Sequence, residues 1–391
     1  MPMDKAPRPC ENRLMFQDFA QHLAALTARD RRRALTPRRG VDFSSNDYLA
    51  LANHAGLRAA VAEALQRGVP MGSGGSRLLR GNHEEHEALE VEAAAMFGSE
   101  SALFFSSGYA ANTTLFATLP QSEDLVVCDA LAHASAGEGM RLGRAPVTRA
   151  AHNDANAFAD AIKTWRARGG KGRAWIAVES LYSMDGDAAP LADLASLCDQ
   201  TGSVLVIDEA HATGVFGPDG RGLAADLEGR ENVITMRTCG KALGCEGALI
   251  CGSNVVRDFL INRGRGFIFS TAPSPLMAAA VRASLRLMRT EPHLRERLRQ
   301  LSARANALLT RQAGAPHTGS QIIPIILGED RRAVSVARAL QQSGFDVRAI
   351  RPPTVPEGTA RLRVSVTLNV GEADIDALAA VLSDTLAGVA A

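Results

Sequence analysis

The sequence is poor in lysine. Its 391 residues carry 43 basic side chains, yet lysine occurs only at Lys5, Lys163, Lys171 and Lys241, and every other basic residue is arginine. Compositional drift accounts for the bias itself. Its consequence is chemical: a reaction that needs a deprotonatable amine has four side chains to draw on, because a guanidinium keeps its proton at any useful pH. The sequence also lacks an excess of either charge. Set against 42 acidic residues, the net charge is +1, which excludes a broad polyelectrolyte role and leaves no nucleic-acid partner expected. No apolar run approaches the roughly 18–20 residues that span a bilayer. The polar start, Met1 to Cys10, has no apolar signal core, so no membrane partner is expected. The six cysteines (Cys10, Cys128, Cys198, Cys239, Cys245 and Cys251) form no C-x-x-C pair. In a chain of this length they are expected to be reduced thiols of a cytoplasmic protein.

What is present is an ordinary soluble composition with ample core for more than one domain. Residues 15–35 read as an amphipathic helix ending in Arg29, Arg31, Arg32 and Arg33. From about 45 to 285, short apolar runs alternate with Ala/Leu-rich stretches. The runs are Ala102–Phe105, Leu125–Cys128, Ala174–Val178, Val204–Ile207, Val233–Met236 and Ala248–Cys251. This alternation predicts an α/β fold with a mostly parallel sheet covered by helices. One helical region is expected over 275–314. A tail with strands at Ile322–Ile326 and Arg361–Val366 and helices near 331–343 and 372–387 predicts a smaller C-terminal α+β domain. The expected division is a helix and arm over 1–45, a large domain over 46–285 and a small domain over 286–391.

Five segments carry candidate chemistry. Val204-Leu-Val-Ile-Asp-Glu-Ala-His211 ends a strand in an acid, and ligands of parallel α/β sheets sit beyond the carboxyl ends of strands. Asp208 is thus placed at a crevice, although strand-end acids also cap helices and turns. Thr238-Cys-Gly-Lys241-Ala-Leu-Gly244 puts the one lysine in an apolar setting after a strand. Desolvation there lowers an amine pKa, as a Schiff-base lysine needs; a lysine snorkelling from a tight turn is the competing reading. Phe104-Phe-Ser-Ser-Gly-Tyr-Ala-Ala-Asn112 runs from strand into helix, and a helix N-terminus holds phosphate. Glu179-Ser-Leu-Tyr-Ser183-Met-Asp-Gly-Asp187 and Asp129-Ala-Leu-Ala-His133 also follow strands, and His133 is a candidate for stacking on a planar ring. Together they describe a site for pyridoxal 5′-phosphate (PLP): a lysine for the aldehyde, an acid for the pyridine nitrogen and a helix N-terminus for the phosphate. His83-Glu-Glu-His86 lacks the i, i+4 histidine spacing and a clear third ligand, so no metal is expected.

In order and spacing these segments resemble the aspartate-aminotransferase-like (fold type I) PLP enzymes. Read with Ser44-Ser-Asn-Asp-Tyr-Leu49, Gly72-Ser-Gly-Gly-Ser-Arg77, Gly220-Arg-Gly222 and Phe269-Ser-Thr-Ala272, they resemble the α-oxoamine synthase family over nearly the whole chain from residue 44. The resemblance implies PLP as cofactor, with Lys241 as Schiff-base lysine and acid/base, Asp208 at the pyridine nitrogen, His211 at the ring hydroxyl and His133 stacked on the ring. It implies Ser183 nearby and Ser107, Gly108, Tyr109 and Thr238 at the phosphate. Ser270 and Thr271 would reach in from the second subunit of a homodimer, and Asn46 and Arg351 would hold an amino-acid carboxylate. Ile350 to Arg363 is most similar to the members that condense L-alanine with a pimeloyl thioester, which adds Thr354 and an arginine of the 29–33 cluster, taken as Arg31, to the substrate residues. The carrier, coenzyme A or acyl-carrier protein, stays open, as do sister activities with glycine, serine or another acyl chain. Ala50 stands where the family has glycine, and Ser274 interrupts its Pro-Pro. A PLP-binding sensor and a dinucleotide-binding oxidoreductase are the competing classes. The first needs a DNA-binding module that about 40 residues before Ser44 do not accommodate; the second needs a G-x-G-x-x-G that is absent after the first strand.

Overall fold

The computed structural model of the chain describes residues 15–390. Lys5, Cys10 and the first part of the 1–45 segment lie outside the described residues. Among the described residues there are twelve strands: β1 (Val41–Asp42), β2 (Ser101–Phe105), β3 (Leu125–Asp129), β4 (Val147–Ala150), β5 (Ala174–Glu179), β6 (Val204–Asp208), β7 (Val233–Thr238), β8 (Ala248–Gly252), β9 (Ile322–Gly328), β10 (Phe345–Asp346), β11 (Ala349–Ile350) and β12 (Ala360–Ser365). Strands β2 to β8 form one sheet in the order β2-β8-β7-β6-β5-β3-β4. Every neighbouring pair is parallel except the two that involve β8. Six of the seven are visible in the sequence as apolar runs because they are buried on both faces. The seventh, β4, is short and mostly exposed at the sheet edge, so it has no such run.

Two apolar layers cover the faces of this sheet, one built on Leu103, Val126, Val206 and Met236, the other on Val127, Ile176, Leu205 and Ile207. Alternate residues of one strand therefore enter opposite layers. The C-terminal strands β11-β12-β9 form an antiparallel sheet. Its core takes in Phe43, Tyr48, Leu49 and Leu51 from the other end of the chain, and β1 pairs in parallel with β10. The segment 41–51 is thereby pinned between the C-terminal sheet and the large one.

One helical expectation is corrected. The first helix spans Gln17–Ala28, not 15–35, and buries none of its residues. It stops because Asp30 turns left-handed (φ 55°) and Arg31 N–H returns to the Leu26 carbonyl at 2.8 Å. The arginines beyond it lie in an arm, not on a helix end. The 275–314 region is two helices, Pro275–Thr290 and Pro292–Ala313. Pro292 has no N–H to donate and disfavours helical backbone at Glu291. Ser274 caps the first of them, accepting from Met277 N–H at 3.3 Å, and Pro275 occupies the first helical turn, where no N–H is needed. His83 and His86 form a capping box on the helix Glu84–Phe97.

Candidate active site

The parallel strands end in register. Glu179 on β5 pairs with Asp208 on β6, which pairs with Met236 on β7, two residues before Thr238. The carboxylates and the Lys241 turn therefore meet at one edge of the sheet. Gly244 (φ 63°) shapes that turn: a methyl on its Cα would lie 2.3 Å from Ala52 N. Only glycine allows the turn to press against the 50–52 segment. Ala50 itself holds φ 54°, in the left-handed region that favours glycine.

Lys241 keeps some exposure to the crevice, and its amine meets His211 Nε2 at 2.6 Å. Desolvation lowers the Lys241 pKa to about 8, while the charges of Asp208 and Glu179 oppose the fall. His211 is buried, and its pKa is pushed well below the usual imidazole range by desolvation and then by Lys241 and Arg363. Its Nδ1 lies 2.7 Å from Tyr48 Oη. Tyr48 donates to Asn46 Oδ1 at 3.0 Å, which also accepts from Arg363 Nη1 at 3.0 Å. Arg363 continues the chain to the Ser183 carbonyl at 2.5 Å. A connected path thus runs from Lys241 through His211, Tyr48 and Asn46 to Arg363 and the Ser183 loop.

A second path fixes Asp208. Asn112 Nδ2 donates to Asp208 Oδ2 at 2.7 Å and to Ser135 Oγ at 3.0 Å. Ser135 Oγ lies 2.7 Å from His133 Nδ1, and the His133 ring faces the crevice. Glu179 is buried, and desolvation together with the Asp208 charge raises its pKa to about 8. Its Oε2 accepts from Ser183 N–H at 3.1 Å, but its Oε1 has no hydrogen-bond partner among the described residues.

Ser107 caps the helix Gly108–Thr118, accepting from Ala110 N–H at 3.1 Å. The first amides of a helix have no intrahelical acceptor. A methyl on Gly108 would sit 3.5 Å from Thr238 Oγ1, so the helix start and the Lys241 turn are neighbours. Tyr109 is exposed. Ser270 and Thr271 are exposed on a separate loop.

The expected substrate arginines are differently engaged. Arg31 Nε lies 2.5 Å from Asp330 and its Nη2 2.5 Å from Glu357. Arg351 donates to the Asp30 carbonyl. A cleft of about 710 Å³ opens beside His133 and Ser183, with Arg33 and Thr354 in its wall; Arg33 Nη2 donates to Thr354 Oγ1 at 3.3 Å. Sequence reasoning missed Tyr48, Asn112, Ser135 and Arg363 as members of the site. For Arg363 a signal existed: Arg361-Leu-Arg363-Val-Ser365 alternates as a strand, and arginine on a strand of buried residues needs polar partners.

Residues 38–382 match the aminotransferase class I and II family, and the chain belongs to it. It is 44 % identical over 381 residues to an 8-amino-7-oxononanoate synthase of Anaeromyxobacter dehalogenans, covering 93 % of this chain and 94 % of the relative. The corresponding synthase of Geobacter sulfurreducens is 43 % identical over 345 residues and covers 87 % of each. Within the larger family, the chain falls among the 8-amino-7-oxononanoate synthases. A serine palmitoyltransferase from S. paucimobilis, solved with a bound PLP–myriocin aldimine, has a TM-score of 0.86 at 25 % identity over 96 % of this chain and 98 % of that one. An 8-amino-7-oxononanoate synthase from Francisella tularensis has a TM-score of 0.76 at 26 % identity, covering 90 % and 99 %.

The residues fit PLP. A desolvated amine, a strand-end carboxylate and a capped helix start beside Thr238 supply partners for an aldehyde, a ring nitrogen and a phosphate. The unpartnered Glu179 Oε1 marks a buried polar atom on the same crevice.

Proposed function

We propose that the chain condenses L-alanine with a pimeloyl thioester, releasing carbon dioxide and the thiol carrier, to form 8-amino-7-oxononanoate in biotin synthesis. The observation that carries this reading is the Lys241 amine, brought to about 8 at the edge shared by Asp208 and Glu179, in a chain 44 % identical to such synthases. PLP, when bound, supplies an electron sink for charge that develops at an amino-acid Cα. Asp208 would pair with its ring nitrogen, His211 with its hydroxyl, and His133 would stack on its face. Ser183 would lie alongside, and Ser107, Gly108, Tyr109 and Thr238 would hold the phosphate.

Lys241 Nζ in its neutral form takes the Cα proton of L-alanine and later returns one. An amine near neutral pH suits both directions of transfer. The new bond joins alanine Cα to the acyl carbonyl carbon, the carbon–sulfur bond breaks, and carboxylate loss follows. Asn46 and Arg351 receive the alanine carboxylate. Arg363 joins them, because it is the guanidinium already bonded to Asn46. Thr354 belongs to the acyl cleft. For the acyl donor we replace Arg31, held by two carboxylates, with Arg33, which lines the cleft. Ser270 and Thr271 act from the second copy of a homodimer, a role their exposed loop suits. We keep the division 1–45, 46–285 and 286–391 and a cytoplasmic setting. No helix among the described residues is long and apolar enough to cross a membrane.

The neighbouring serine palmitoyltransferases favour a second reading, in which serine and a longer acyl chain are used. Their high TM-score reports the shared fold, whereas identity over the full length separates the activities, and it favours alanine. Holoenzyme supplied with pimeloyl-coenzyme A and alanine, glycine or serine in turn decides: thiol release and the 8-amino-7-oxononanoate mass are expected with alanine. Faster turnover with serine or glycine overturns the reading.

A further inference from the structure

The cleft beside His133 has a volume of about 710 Å³, within the range that takes a drug-sized ligand and far larger than alanine requires. Its charged lining is unbalanced. Asp185 is neutralised by Arg361 at 2.5 Å. Among the described residues the Arg33 side chain hydrogen-bonds only the Thr354 hydroxyl, and that of Arg149 only the Ala130 carbonyl at 3.2 Å. Neither guanidinium has a carboxylate within ion-pair distance among the described residues. Other arginines of the chain are paired, for example Arg77 with Glu90 and Arg304 with Asp376. Two uncompensated cations in one concave site raise the local anion concentration.

Arg149 is the unexpected member. It projects from β4, the edge strand of the large sheet. Its Nη1 is tied to the loop that leads into His133. Its Nη2 would lie 4.0 Å from a methyl on Gly137, in the first turn of the helix Ala134–Leu142. The guanidinium is thus anchored at one corner and leaves donors to the cleft. A planar fork of this kind binds an oxyanion in two-point fashion.

We infer that Arg149 is a recognition residue for an oxyanion of the acyl donor, in the cleft that Arg33 also lines. This rests on the pimeloyl reading above. A pimeloyl thioester carries such an oxyanion at its distal carboxylate and on the phosphates of its carrier, and the chemistry at Arg149 is the same for both.

The test uses holoenzyme with Arg149→Gln and Arg149→Lys, and pimeloyl-coenzyme A beside heptanoyl-coenzyme A, which lacks the distal carboxylate. Loss of one charge-assisted contact raises KM for pimeloyl-coenzyme A by about 10- to 100-fold. The cofactor absorbance and the affinity for L-alanine stay unchanged, and lysine restores part of the loss. A KM for heptanoyl-coenzyme A (or its inhibition constant) that does not move assigns the distal carboxylate; a parallel rise assigns the carrier phosphates. An unchanged KM with both donors overturns the inference. So does a fall in kcat or an altered cofactor spectrum at unchanged KM, which assigns Arg149 to holding the His133 loop. If the glutamine variant does not fold, the lysine variant decides, through a severalfold rise in KM or none. Wild-type enzyme that fails to turn over pimeloyl-coenzyme A with alanine sinks the functional reading instead, so the two failures are distinct.

Discussion

Two inward-turned cations lie four positions apart on the same strand and turn, and the protein treats them oppositely. Arg237 on β7 is fully buried. It donates to Glu228, to Thr213 Oγ1 at 3.2 Å and to the Arg221 carbonyl, lies 3.8 Å from Glu209, and sits 4.0 Å over the Phe97 ring. Both terminal nitrogens are answered and two glutamates match the charge, so it is fixed, while Nε has no hydrogen-bond partner among the described residues. Lys241 faces the crevice, touches a neutral His211, and is desolvated without a direct carboxylate contact. A guanidinium cannot release its proton, and two glutamates hold it; an ammonium in a partly answered site is held near its titration point. One short segment thus carries both a structural cation and the amine we propose to do the chemistry.

The largest effect should come from Lys241→Ala: turnover falls by more than about 10⁴-fold, the upper range of acid–base catalysis alone, and borohydride no longer links PLP to the chain. Thermal unfolding should stay close to wild type. Arg237→Met should invert that pattern. It strands two buried glutamates and costs about 3–5 kcal/mol of stability, while kcat of the folded fraction is preserved. Denaturant unfolding checks this, and a large loss of kcat at full stability would break the comparison. Asp208→Asn should retain PLP yet lower kcat by about 10²-fold, the scale of one preorganised electrostatic contact. The long-wavelength absorbance that L-alanine induces should disappear with it.

The smallest effect is a pH dependence in cofactor-free protein. Lys241 titrates at about 8 when folded against its usual 10.5. Between those values the unfolded chain binds more protons, so stability rises with pH across that window. Lys241→Met lacks this rise. The wild-type-minus-variant difference in Tm should therefore grow from pH 8 toward 10; a flat difference would mean that the amine is not desolvated.

Much of the site was legible in the sequence, for identifiable reasons. Asp208, His211 and Lys241 follow strands, and strand ends of a parallel sheet share one edge. The fold class followed from buried strands reading as apolar runs. Tyr48, Asn112 and Ser135 were not legible as site members, because ordinary residues become partners only when distant segments meet. The arginine arm was undecided in the sequence for the same reason. Arg31 and Arg33 are equivalent in sequence, and only the placement of Asp330 and Glu357 separates the neutralised one from the one in the cleft.

The scarcity of lysine, the strand-end acid and the small apolar turn around Lys241 were set by the sequence alone, because burial pattern and residue chemistry are local properties. What the tertiary structure decided is which of those groups touch. It decided that segment 41–51, pinned to the C-terminal sheet, delivers Tyr48 to His211. It decided that β12 delivers Arg363 to Asn46. It also decided that two arginines far apart in the chain face one cleft without counter-ions. Contacts between residues hundreds of positions apart depend on packing geometry, and no local pattern encodes them.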